Sequence, residues 1–380
     1  MKSSALILCA ALVCALGVAC EPVAPTPQLT AAVSAHSGST TPACDDLRIR
    51  NGNDFVDNKV LILSPSYDPT NGTAPSAGQI VGPVAQNSPY RRHLAAAFRI
   101  APDFFKNQLC SVTYVFLVQC ADAMHCTADD AARNSWGLRE WRGAKSGRFM
   151  AISAALWQST DSALPLDQFG TKRLMSLLRT LSPGTDLSKW SSPPAYFPAF
   201  PNNDGGMSVL AALAHEAGHV LWYDAFVPDR GGAINLNNFC NGFYTSNSWS
   251  GVNITQNRWI NFGDQISNEI HNPNYIGMIA NDLNPVSPNF SQAGEDLNKL
   301  YSDQGLTGTL AAISPDEDFV ETYMLYVLLN SKLNNARQLQ KFLVSIAGNG
   351  TTYTHDIADI FNNKPQLLTK MSCFGPLPSP

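Results

Sequence analysis

The chain has 380 residues, of which 44% are hydrophobic and 14% are charged. It is long enough for one large domain or two ordinary ones, and its charged share lies well below the usual share of about 25%. Serine, threonine, asparagine, glycine and proline fill the difference, a composition that suits an exported, loop-rich protein. The formal net charge is −5 and the chain carries no basic stripe, so we do not expect nucleic acid as a partner.

Residues 1–19 have the features of an export signal. Lys2 supplies a positive charge, and the apolar run that follows is too short to span a bilayer as a helix. The run ends in LGVAC at residues 16–20, which resembles the lipobox of bacterial lipoproteins, where the cysteine is acylated and becomes the mature N-terminus. The resemblance implies lipidation of Cys20 and attachment to a membrane surface as a cell-envelope lipoprotein of the outer membrane or cell surface. Ordinary cleavage after Ala19, giving a secreted protein, is the alternative.

Residues 20–43 are rich in proline, threonine, alanine and serine, and we interpret them as a flexible tether to a folded body over residues 44–380. With the signal removed and Cys20 lipidated, an even number of cysteines remains in an exported chain, which indicates disulfides. The sequence does not choose the pairing among Cys44, Cys110, Cys120, Cys126, Cys240 and Cys373.

Apolar periodicity and turn residues predict the elements of the body in chain order. Strands are expected over 60–63, 110–119 and 148–157. Helices are expected over 93–109, 171–181, 207–226, 292–300, 315–332, 336–346 and 356–362. Residues 227–290 have no regular pattern.

The segment AHEAGH at residues 214–219 carries the chemistry of the chain. On a helix, His215 and His219 lie four residues apart on one face, where two imidazoles can bind one zinc ion. Zinc lowers the pKa of a bound water, and Glu216 is placed to take the proton of that water as a general base. The alternative is that both histidines are hydrogen-bonded core residues without metal. A strongly apolar helix disfavours this, because buried polar groups that lack partners cost free energy.

This pattern resembles the zincin metallopeptidase superfamily, in which HExxH lies on an active-site helix beside a twisted sheet. The resemblance implies an α+β fold: a small twisted sheet with the active-site helix, followed by a mainly helical C-terminal lobe. Trp222 and Ala225 stand where the metzincin subgroup has glycine and histidine, so that subgroup is set aside. Asp224 is expected to cap the helix or support the site rather than bind metal.

A third protein ligand must come from another segment. Glu317 and Glu321 stand one turn apart on the helix expected after Ser314. They resemble the glutamate zincins, and the resemblance makes Glu317 the third zinc ligand and Glu321 the acceptor of a hydrogen bond from a ligand histidine. An acidic helix N-terminus favoured only by the helix dipole is the plain alternative. Glu269 or His271 could also complete the site, although Pro273 would break a helix there.

We therefore expect a zinc-dependent peptidase, with one catalytic Zn²⁺ and a peptide or protein substrate cleaved internally. A catalytically inactive, zinc-binding surface lipoprotein used for adhesion or partner binding is the alternative, and a metal-free lipoprotein is a further one. A tyrosine is a candidate to stabilise the oxyanion, and the sequence does not choose among Tyr275, Tyr301, Tyr323 and Tyr326.

Overall fold

The computed structural model describes residues 42–64, 75–119, 149–159, 162–163, 190–191, 206–226, 281–282, 286–287, 289, 291–293, 295, 307, 311, 315–332, 343–348, 351–356, 370–371 and 374–375. The export signal, Cys20, most of the tether and the helix expected over 171–181 lie outside these ranges. So do Glu269 and His271, and four of the six cysteines.

The described part of the chain has an α+β fold with a small mixed sheet. Its elements, in chain order, are α1 (Pro42–Asp46), α2 (Gly52–Lys59), β1 (Val60–Leu63), β2 (Ile80–Pro83), α3 (Pro89–Ile100), α4 (Asp103–Ser111), β3 (Tyr114–Val118), β4 (Phe149–Ser153), β5 (Trp157–Ser159), β6 (Ser162–Ala163), β7 (Trp190–Ser191), α5 (Gly206–Phe226), α6 (Pro315–Leu329), β8 (Leu343–Gly348) and β9 (Thr351–Asp356).

The main sheet has the strand order β2-β1-β3-β4. Strand β1 is antiparallel to β2 and parallel to β3, and β3 is parallel to β4, with Val60 opposite Val115 and Tyr114 opposite Phe149. The parallel strands β3 and β4 are almost wholly buried, as expected for strands that are covered on both faces. Helix α5 packs against β4, α3 and α6, which places it beside the sheet.

Helices α5 and α6 approach each other very closely at Gly218. A Cβ atom at this position would lie 3.1 Å from Cγ1 and 3.2 Å from Cα of Val320. A side chain there would require Val320 to shift by a few tenths of an ångström, and packed interiors tolerate little added volume. The small residue that the sequence places inside the HExxH segment therefore sets the spacing between α5 and α6.

A disulfide joins α1 to α4. It links Cys44 to Cys110, which are 66 residues apart in the chain, and so answers part of the pairing question that the sequence left open. Cross-links of this length act mainly by restricting the unfolded chain. The result is that α4 is held at its C-terminal end.

The predicted helix over 93–109 is in fact two helices. Helix α3 ends at Ile100, Ala101 takes an extended conformation with ψ 141°, and α4 starts after Pro102. Proline disfavours a helical conformation in the residue before it, which explains the break. Because α4 continues to Ser111, the strand predicted from residue 110 begins only at Tyr114.

Other elements agree with expectation to different degrees. The strand over 60–63 and the helix over 207–226 are confirmed, and the helix starting at Pro315 ends at Leu329, three residues earlier than expected. The strand predicted over 148–157 stops at Ser153, where a single 3-10 turn leads into β5.

The helix predicted over 336–346 is wrong from residue 343 onward. Residues 343–348 form β8, which pairs antiparallel with β9, so that Asp356 ends a strand instead of opening the helix expected over 356–362. Asn349-Gly350 lies between the two strands in the sequence and is a strong hairpin signal.

None of the helices in the described residues could span a membrane.

Candidate metal and catalytic site

Helix α5 places His215, Glu216 and His219 together. The rings of the two histidines meet edge to face, with centroids 5.0 Å apart and an interplanar angle of 83°. One potential ligand atom from each of the three residues lies within 4.8 Å of the others. His215 and Glu216 are each 5% exposed, and His219 is more open to solvent. Four-residue spacing on a helix gives this arrangement directly.

Helix α6 brings the carboxylate of Glu317 against both histidines. Its Oε2 lies 3.6 Å from Nε2 of His215, and its Oε1 lies 3.6 Å from Nε2 of His219. These distances are too long for good hydrogen bonds. The carboxylate of Glu317 therefore faces the Nε2 atoms of both histidines.

Glu321 lies one turn further along α6 and contacts the other nitrogen of His215. Nδ1 of His215 donates a hydrogen bond to Oε1 of Glu321 at 2.8 Å. Glu321 is only 3% exposed, so this bond is shielded from water. A proton on Nδ1 leaves the lone pair on Nε2, the nitrogen that faces Glu317.

The donor atoms of His215, His219 and Glu317 are of the kinds that bind zinc. Tetrahedral zinc with ligands at about 2.0–2.2 Å holds its donor atoms about 3.4 Å from one another. The two observed N···O separations, one to each oxygen of the Glu317 carboxylate, are both 3.6 Å. Two imidazole nitrogens and one carboxylate oxygen form a donor set that catalytic zinc sites use, and the hydrogen bond from His215 to Glu321 is of the kind that orients such ligands.

The N-terminal turn of α6 is turned inward, which argues against a solvent-exposed acidic cap. Asp318 is fully buried, and its Oδ2 accepts a hydrogen bond from Nζ of Lys370 at 2.6 Å. Burial raises the pKa of Asp318 to about 6, an effect that the Lys370 charge opposes. Lys370 lies 52 positions from Asp318 in the chain, and no local sequence pattern predicts this pair.

Two of the tyrosines considered for the oxyanion are buried. Tyr323 is 4% exposed and its hydroxyl donates a hydrogen bond to Gln108, while Tyr326 is 1% exposed and packs on Phe374. Tyr275 and Tyr301 lie outside the described residues, so the choice among the four tyrosines stays open.

Asp224, which was expected to cap the helix or support the site, belongs to the last turn of α5. Glu269 and His271 lie outside the described residues. The structure thus brings together His215, Glu216, His219, Glu317 and Glu321, which the sequence pattern singled out. Comparison with protein-family models, with curated proteins and with solved structures found no match to this chain.

Proposed function

We propose that this protein is a zinc-dependent peptidase, most similar in its ligand set to the glutamate zincins. The observation that carries the proposal is the position of Glu317, whose two carboxylate oxygens each lie 3.6 Å from Nε2 of a histidine of the HExxH segment. His215, His219 and Glu317 would hold the ion. A zinc ion bound there would supply an acidified water and polarise a peptide carbonyl.

Glu216 and Glu321 would then have separate roles, one in proton transfer and the other in orienting a ligand. Glu216, buried beside His215 and His219, accepts a proton from the attacking water and delivers it to the leaving amine. Glu321 holds the His215 ring in one orientation through Nδ1 and makes Nε2 more basic. Hydrolysis of internal peptide bonds is the reaction class that this set of groups suits best.

A zincin-like fold is part of the same proposal. Helix α5 lies beside the mixed sheet and packs on β4, and α6 comes from the C-terminal half of the chain and packs on α5. This order, sheet and HExxH helix first and glutamate helix second, supports the assignment. In the proposed arrangement, the two ligand helices meet at the contact between Gly218 and Val320.

The proposal is tested by removing and restoring the metal. The purified protein is expected to contain one zinc ion per chain and to cleave members of a mixed peptide library. A chelator should abolish cleavage, and added Zn²⁺ should restore it. Zinc without any cleavage would instead support an inactive zinc-binding surface protein, and the absence of bound zinc would overturn the proposal.

We further propose that the protein is attached to the cell envelope through Cys20. Cys20→Ser is expected to release it from membranes into the soluble fraction, because the acylated residue would be lost. Cys14→Ser is the matched control, since Cys14 lies within the apolar run and outside the lipobox-like segment. Wild-type protein that is already soluble, or whose mature N-terminus lacks acyl mass, would contradict lipidation.

A further inference from the structure

Helix α4 contacts α6, the helix that carries Glu317, through side chains. The ring of Phe104 packs on that of Tyr326, with centroids 5.5 Å apart. Lys332, just beyond the end of α6, forms an ion pair with Asp103 at the start of α4. Residues early in α4 therefore contact residues late in α6, while Gln108, further along α4, contacts Tyr323, earlier in α6.

Gln108, near the C-terminal end of α4, connects the two helices that carry the proposed zinc ligands. Its Nε2 donates a hydrogen bond of 2.9 Å to the main-chain oxygen of Ala217 in α5. Its Oε1 accepts a hydrogen bond from the hydroxyl of Tyr323 in α6. Ala217 lies between His215 and His219 in the HExxH segment. The side-chain amide of Gln108 thus binds α5 through its nitrogen and α6 through its oxygen.

These hydrogen bonds restrict a motion that apolar packing leaves open. The contact between Gly218 and Val320 sets how far apart α5 and α6 are, but van der Waals contact is weakly directional and permits sliding. Hydrogen bonds weaken steeply when their geometry changes. Metal coordination tolerates errors of only about 0.2 Å in ligand distance. A slide of α6 along α5 would move Glu317 relative to both histidines.

We propose that Gln108 is a positioning residue for the metal site, which fixes α6 relative to α5 so that the Glu317 carboxylate faces both histidine nitrogens. This inference rests on the proposed function, since it concerns the same zinc site. Gln108 is not one of the proposed ligands. It acts through Ala217 on one ligand helix and through Tyr323 on the other.

The test measures the zinc dissociation constant of the folded protein by competition with a chromophoric chelator. Gln108→Met keeps the length of the side chain and removes both hydrogen bonds, and we expect it to weaken zinc binding about 10-fold, the lower end of the range for groups that support metal ligands. The visible spectrum of the Co²⁺-substituted protein should change with it, because the ligand geometry changes. Gln86→Met, at an exposed position whose amide contacts only Asp57 among the described hydrogen bonds, should match wild type.

A double variant separates positioning from stability. Gln108→Met leaves the buried Tyr323 hydroxyl without its acceptor, which by itself destabilises the fold. Adding Tyr323→Phe removes that hydroxyl, so the double variant should regain thermal stability but not zinc affinity. Recovery of both would mean a purely structural role and would overturn the inference.

Two further outcomes are decisive. Zinc affinity in Gln108→Met within twofold of wild type would overturn the positioning role while leaving the zinc peptidase intact. A wild-type protein that binds no zinc would instead overturn the proposed function and this inference with it. If Gln108→Met does not fold, Tyr323→Phe alone must weaken zinc binding measurably, and unchanged affinity there would overturn the inference.

Discussion

Glu216→Gln is expected to lower peptide hydrolysis by at least about a hundredfold while zinc stays bound. The amide has nearly the same shape as the carboxylate but cannot accept the proton of the attacking water. Glu216 is 5% exposed and lies with His215 and His219, so little else in the site should change. The measurements are the rate of cleavage of one peptide from the library and the zinc content of the same sample.

The matched control is Glu295→Gln, which makes the same chemical change at an exposed position. It should leave both activity and zinc content unchanged. Activity of Glu216→Gln within a few-fold of wild type would refute the general-base role. Full loss of activity together with loss of zinc would mean that Glu216 supports the metal site itself, and the mechanism would need revision.

Glu317→Ala is expected to weaken zinc binding by more than about 100-fold, beyond the range of groups that only support ligands. The variant leaves two neutral imidazoles facing a divalent cation and removes the carboxylate that lies 3.6 Å from each of them. Activity should fall with zinc occupancy. The zinc dissociation constant, measured on protein whose near-ultraviolet circular dichroism is native, reports the effect directly.

Glu321→Ala gives the graded comparison. It removes the acceptor of the His215 Nδ1 hydrogen bond without touching the metal position, so we expect a loss of about 10–100-fold in zinc affinity or activity. Glu269→Ala and His271→Ala should leave zinc in place. If either of these abolishes zinc binding and Glu317→Ala does not, the glutamate-zincin assignment is wrong, although the HExxH residues would still support a peptidase.

The two largest effects therefore probe different steps of the same proposal. Glu216 affects proton transfer with the metal retained, and Glu317 affects the metal itself. An inactive zinc-binding protein would show the Glu317 effect on zinc affinity but would have no hydrolysis for Glu216 to change. The pair of variants thus distinguishes the peptidase from the inactive alternative.

Local sequence patterns were sufficient to predict the two helices on which the site residues lie. The apolar run around HExxH predicted α5, and proline at a first turn predicted the start of α6 at Pro315. Spacing alone placed His215 beside His219, and Glu317 beside Glu321, because residues four apart share a helix face. The Asn349-Gly350 signal and the effect of Pro102 were also present in the sequence, and the wrong predictions there came from giving apolar periodicity more weight than turn residues.

The sequence by itself determined which residue types could bind zinc and on which helices they lie. Only the tertiary structure decided that these helices meet: Gly218 against Val320, and the Glu317 carboxylate against both histidine nitrogens. It also revealed the Lys370–Asp318 pair, the disulfide from Cys44 to Cys110, and the bridge through Gln108. These contacts join residues 52 to 215 positions apart. Helical periodicity describes neighbours within a few residues, whereas such pairs form only when the packing of several elements brings them together.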